Sequence, residues 1–264
     1  MIDIEQKCNR GVGIINKIQT ILETMFFGSH HFDIGKTMIE SILLGSILYN
    51  NEVVYNLTLS EVEKFEKCHE MAIRKLIGLA SKTPLKMLYF LTGSIPIRFQ
   101  IQRRRLVYLQ HILKQDKESL LRTFFEHQLK TRKTKDWASK IVKDLSDFEI
   151  TLSLDQIENT PSEAWKEMIK VQTCKNALNH LNSNIGSKSR NYPEIKMSNF
   201  LRFHENFPID TVKFIAKAQC HMIETIKRNF QHEYKEDLIC DSCRLKMCNQ
   251  SHLLYCEALI GSNQ

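Results

Sequence analysis

The chain has 264 residues, 42% of them hydrophobic, which is enough for one large domain or two smaller ones with real cores. Nine glycines and five prolines leave little room for long loop-rich stretches, and no apolar run reaches the roughly eighteen residues that a membrane span needs. The net charge of +7 is concentrated: residues 98–135 hold eleven basic and three acidic side chains, against ten and ten in 1–97 and sixteen and seventeen in 136–264.

The dominant period along the chain is helical. Residues 5–25 form an amphipathic segment through Ile14, Ile15, Ile18, Ile21, Leu22 and Met25. Its Gly11-Val12-Gly13 lacks a third glycine and a preceding strand, so it is a poor phosphate loop. Residues 36–49 are apolar on nearly every side, which predicts a buried central helix. Ser60 and Glu63 have capping-box spacing and open a helix through Phe65, His69, Ala72, Ile73 and Leu76, with Gly78 as its stop. No metal-spaced partner accompanies His69, so it reads as a packed or boundary histidine.

Pro84 opens a short helix ending at Gly93, and Pro96 precedes a longer one carrying Arg103-Arg104-Arg105. A further helix runs through Leu120, Leu121, Phe124 and Phe125. Residues 136–146 and 160–182 give two more, the second with Thr160 as cap, Pro161 at the first turn and Glu163 as capping-box carboxylate. Residues 183–199 are rich in Ser, Asn and Gly and read as a linker between residues 1–182 and 200–264. A last helix is expected over 209–230. The fold class is mainly α: a multi-helix bundle with a small C-terminal zinc-knuckle module.

That module rests on Cys240-Asp241-Ser242-Cys243 and His252-Leu253-Leu254-Tyr255-Cys256. A Cys-x-x-Cys turn supplies two thiolates, and His252 and Cys256, four apart, project from one side of a helical turn to complete a tetrahedron. Cys240, Cys243, His252 and Cys256 are therefore the expected ligands of a structural Zn2+, with Cys248 in the intervening loop as the alternative to His252. Four protein ligands leave no open position for water, so such an ion holds structure and does not catalyse. Cys8, Cys68, Cys174 and Cys220 are scattered singly and read as small apolar residues. The start of the chain lacks the basic and apolar regions of a signal peptide. The expected setting is cytoplasmic or nuclear, not secreted.

Several stretches resemble the C-terminal part of the reading frame of non-LTR (LINE-type) retrotransposons, downstream of the reverse transcriptase palm. Residues 9–15 and 27–32 resemble the helix that follows the last palm strands. Leu43 to Asn56 resembles the family's "LL…N.E.WYN" stretch, with Val54 where tryptophan is usual. Arg74-Lys75-Leu76-Ile77-Gly78 is similar to the end of its "LLRKILG" helix, and Cys240 to Cys256 resembles its terminal cysteine–histidine knuckle. The resemblance implies a parent enzyme that copies RNA into DNA, whose palm holds metal ions on a paired Asp-Asp turn. This chain has no Asp-Asp pair.

The leading expectation is a non-catalytic nucleic-acid-binding region, a thumb-like bundle with RNA or DNA as partner and an upstream palm if the parent protein is longer. Phosphates are gripped mainly by Lys and Arg, and Arg103, Arg104, Arg105, Lys130, Arg132, Lys133 and Lys135 are the candidate contacts. Three consecutive arginines cannot share a helical face, so one is expected to pack inward. Trp137 follows the basic run and fits core packing better than base stacking. The alternative is a helical protein-interaction or structural domain, a retroelement remnant without activity. An enzyme is the weakest reading, since no catalytic constellation emerges from spacing.

Overall fold

A computed structural model describes residues 4–25, 30–54, 56–81, 83–131, 136–183 and 208–220. They are mainly helical, and no strand occurs among them. In chain order the helices are α1 (Ile4–Met25), α2 (His31–Met38), a π-helical turn (Ile39–Leu43), α3 (Leu44–Ile47), α4 (Leu59–Ile77), α5 (Leu85–Thr92) and α6 (Ile97–Leu113). After these come α7 (Leu120–Thr131), α8 (Trp137–Asp147), α9 (Leu154–Asn159), α10 (Ser162–Ser183) and α11 (Ile209–Gln219).

Two apolar cores organise these elements. The first joins the inner faces of α1 to α5 with Ile97 and Ile101 of α6, Leu181 of α10, and Val212, Ala216 and Cys220 in and after α11. The second joins Leu106, Leu109, Ile112 and Leu113 of α6 to Phe125, Trp137, Ile141, Phe148, Ile157, Trp165 and Ile169. Helix α6 thus feeds both cores, its first half into one and its second half into the other, and α10 runs against it. The described part of the last segment packs with the N-terminal helices through α11.

The central helix is α6, which corrects the expectation for residues 36–49. That stretch buries one face through Ile39, Leu43, Leu44, Ile47 and Leu48 but leaves Ile42 48% and Tyr49 65% exposed. It is also interrupted by the π turn. In α7 only Phe125 of the four expected apolar residues is buried; Leu120, Leu121 and Phe124 are exposed.

Local signals explain most helix ends, with two corrections. The capping box of α4 is Thr58 with Glu61, two residues before the expected pair: Thr58 Oγ1 accepts from the Glu61 amide and Glu61 Oε2 accepts from the Thr58 amide. Thr160 does not cap α10. It closes α9, its hydroxyl donating to the Gln156 carbonyl at 2.6 Å, while Glu163 pairs with Lys166 at the surface. Gly78 and Gly93 end α4 and α5 in the left-handed region, at φ 72° and 60°, where a side chain would be strained. Gly11 lies inside α1, and a Cβ there would sit 2.7 Å from Cys68 Sγ, so it lets α1 approach α4.

The single cysteines behave as small buried groups. Burial pushes the Cys68 thiol up to about 11 and the Cys220 thiol up to about 12, far from the reactive thiolate range. Cys8 and Cys174 are half-buried and shift the same way for the same reason.

Candidate nucleic-acid interface

The three arginines of α6 meet three different environments because successive residues turn by about 100° around a helix. Arg105 points inward. It is 7% exposed, its Nε donates to Asp144 Oδ2 at 2.6 Å and its Nη2 to Asp144 Oδ1 at 3.1 Å. A guanidinium held in this fork is not available to a phosphate, so Arg105 is removed from the expected contacts.

Arg122 is consumed in the same way. It is buried, and its guanidinium donates to the carbonyls of Leu113 and Gln115 and to both oxygens of Glu158, at 2.9 and 2.8 Å. Those carbonyls lie at and just beyond the end of α6, where backbone acceptors lack helical partners and attract a cation. Lys114 donates to the Thr160 carbonyl and to Ser162 Oγ, both at 2.9 Å. Part of the basic excess therefore stitches α6 to α7, α8, α9 and α10.

Arg103 and Arg104 turn outward. They line an open hollow of about 510 Å³ together with Glu52, Tyr108, His111 and Lys166. Among the described residues no carboxylate pairs with Arg103. Arg104 is half-buried and makes one long contact, 3.5 Å, to the Leu48 carbonyl. Burial holds its guanidinium below its ordinary value, opposed by the nearby Glu52 carboxylate and assisted by Arg103.

The rim of the hollow is fixed from two sides. Trp137 Nε1 donates to the Glu52 carbonyl at 2.8 Å, and Lys7 Nζ donates to the Tyr49 carbonyl and to Asn51 Oδ1. Glu52 Oε2 is buried and has no hydrogen-bond partner among the described residues. On the α6 side the Tyr108 and His111 rings lie 5.8 Å apart at 29°, a near-parallel pair one helical turn apart, and His111 is exposed. The Trp137 and Tyr108 rings meet in a T-shaped pair at 5.9 Å and 85°. Trp137 is a core residue, 8% exposed.

Of the other expected contacts, Lys130 stands exposed in the last turn of α7. Arg132, Lys133 and Lys135 lie outside the described residues, as do Cys240, Cys243, Cys248, His252 and Cys256. Among the described residues no group of His, Cys, Asp and Glu is placed to hold a metal ion, and no helix is long and apolar enough to cross a membrane.

Six residues that line the hollow went unmarked as site residues in the sequence: Glu52, Gln100, Val107, Tyr108, His111 and Lys166. One signal was present, since Tyr108 and His111 are three apart on the helix that carries the arginines. Glu52 and Lys166 reach the site only through tertiary packing. Comparison with protein-family models, with curated proteins and with solved structures finds no match for the chain.

Proposed function

We propose that this chain binds nucleic acid without catalysing a reaction on it, as a helical region of the kind that follows the palm in non-LTR retrotransposon reverse transcriptases. The observation that carries the reading is the charge excess of residues 98–135, of which Arg98, Arg103, Arg104, Lys114, Lys117 and Lys130 remain outside the fold's own ion pairs among the described residues. Cations that reach phosphates neutralise them and release condensed counterions, which makes affinity fall with salt. Arg132, Lys133 and Lys135 belong to the same proposal on sequence grounds. So does a structural Zn2+ on Cys240, Cys243, Cys256 and His252, with Cys248 as the alternative to His252.

The test is fluorescence anisotropy of the full chain with labelled RNA and DNA across a salt series. The reading expects binding at low salt and a linear fall of log K with log salt. It expects the Arg132→Ala, Lys133→Ala, Lys135→Ala triple variant to flatten that slope by about 2 to 3 units. Undetectable binding at low salt contradicts it.

A second reading, a structural or protein-interaction domain, draws on the internal use of Arg105, Arg122 and Lys114. It predicts no preference for nucleic acid over heparin at matched charge.

A further inference from the structure

The hollow beside α6 combines four features that a patch for bare phosphates does not need. It is concave, and its volume of about 510 Å³ falls within the range of small-ligand sites, roughly 300–1,000 Å³. It has cationic walls in Arg103, Arg104 and Lys166, the last shared with Glu163 at 2.7 Å. It has an aromatic wall in the near-parallel Tyr108 and His111 rings. It also holds a buried acceptor, Glu52 Oε2, with no donor among the described residues.

Each feature selects for part of an occupant. Guanidinium groups match phosphate oxygens in planar, bidentate geometry. A pair of stacked rings with one exposed member offers a face to another π-system, and base–aromatic stacking tolerates every base. A buried carboxylate oxygen without a partner is costly until something donates to it, so the occupant brings an N–H or O–H group. Phosphate, a flat ring and a donor together describe a nucleotide.

A base inside a duplex keeps both faces against its neighbours, so it cannot lie against His111 without leaving the stack. We infer that the hollow formed by Glu52, Arg103, Arg104, Tyr108, His111 and Lys166 seats one unstacked nucleotide of a single-stranded polynucleotide. The phosphate lies on Arg103 and Arg104, the base on the Tyr108–His111 pair, and a base N–H or ribose hydroxyl donates to Glu52. This rests on the nucleic-acid reading above and adds to it a strand preference and a defined seat.

The test uses the full chain and three probes of about twelve nucleotides each: oligo-uridine RNA, oligo-deoxyuridine DNA and a mixed-sequence DNA duplex. Comparing the two single strands separates RNA from DNA, since they differ only in the 2′-hydroxyls. The variants are His111→Ala, at an exposed position, Tyr108→Leu, and Arg103→Ala; circular dichroism checks that each folds. Loss of one stacking contact is expected to weaken single-strand binding by roughly 5- to 100-fold while leaving duplex binding within about twofold. Photocrosslinking with 5-iodouridine in the RNA probe should map to Tyr108 or His111.

If His111→Ala and Tyr108→Leu change nothing while Arg103→Ala weakens all three probes equally, the seat is refuted and the basic-stretch reading survives. If the wild-type chain binds none of the probes at low salt, both are refuted. Crosslinks confined to residues away from the hollow also overturn the seat.

Discussion

Arg105 and Asp144 form a two-pronged ion pair sealed between α6 and α8, with 8% and 2% of their side chains exposed. Gln102 donates a further hydrogen bond to Asp144 Oδ1 at 3.0 Å, so the carboxylate is well satisfied. Desolvating two charges offsets most of their attraction, but removing one alone strands the other in the second core. Either Arg105→Ala or Asp144→Ala is expected to destabilise the fold by about 3–5 kcal/mol. The double variant Arg105→Met, Asp144→Leu is expected to recover most of that loss in denaturant titration. Additive losses from the two single changes would mean that the pair is not an energetic unit.

Much of the helical plan was legible in the sequence because its starts and stops are local: Pro84 and Pro96 stand before α5 and α6, and Gly78 and Gly93 end α4 and α5. The start of α4 was harder. Thr58-x-x-Glu61 and Ser60-x-x-Glu63 both satisfy the capping pattern, and only the direction of the incoming chain selects the first. The central helix was misplaced because α6 gives different faces to two cores, which blurs its periodicity. Arg105 illustrates the remaining gap. It falls four residues after Ile101 and four before Leu109, in the row of buried positions, yet its partner is 39 residues away, beyond any local pattern. The hollow was invisible for the same reason, since Glu52 and Lys166 come to α6 from distant segments.

The capping assignment is directly testable. Thr58→Ala removes the acceptor for the Glu61 amide and is expected to cost about 1 kcal/mol. The Ser60→Ala change lies within the first turn of α4, where alanine is favoured, and is expected to be within about 0.5 kcal/mol of neutral. Reversed magnitudes in chemical denaturation would restore the later box.

Burial at the α4–α5–α6 junction predicts opposing pH effects. The Glu66 carboxyl accepts from the Tyr89 hydroxyl and from the Ile97 amide at 2.8 Å, and burial above all raises it from 4.5 to about 8. Folded protein thus keeps a proton that unfolded chain releases, so this group's contribution falls as pH rises from about 4.5 to about 8, by at most about 1.4 kcal/mol per unit. His69 is fully buried with neither ring nitrogen partnered among the described residues, and burial lowers it from 6.5 to about 4. Unfolded chain takes up the proton first, so its contribution grows as pH rises from about 4 to about 6.5. Relative to wild type, Glu66→Gln should gain stability from about pH 4.5 to 8, and His69→Phe should lose its acid sensitivity below about 6.5. Stability differences that do not vary with pH would contradict this.

The proposed zinc module predicts one zinc per chain by elemental analysis. Cys240→Ala and Cys243→Ala should abolish it, and Cys248→Ser should keep it, with His252 as fourth ligand beside Cys256. Zinc lost in Cys248→Ser and retained in His252→Ala would exchange the two.

The most direct measurement of the central claim is the salt dependence of nucleic-acid affinity for Arg103→Gln and wild type, side by side on duplex DNA. Each phosphate contact contributes about −0.9 to the slope of log K against log salt. With Arg103, Arg104, Lys130 and the undescribed Arg132, Lys133 and Lys135 as candidates, the wild-type slope is predicted near −4 to −5. Arg103→Gln should flatten it by about one unit without loss of helicity. A wild-type slope near zero, or one unchanged in Arg103→Gln, would contradict the assignment of this face of α6 to nucleic acid.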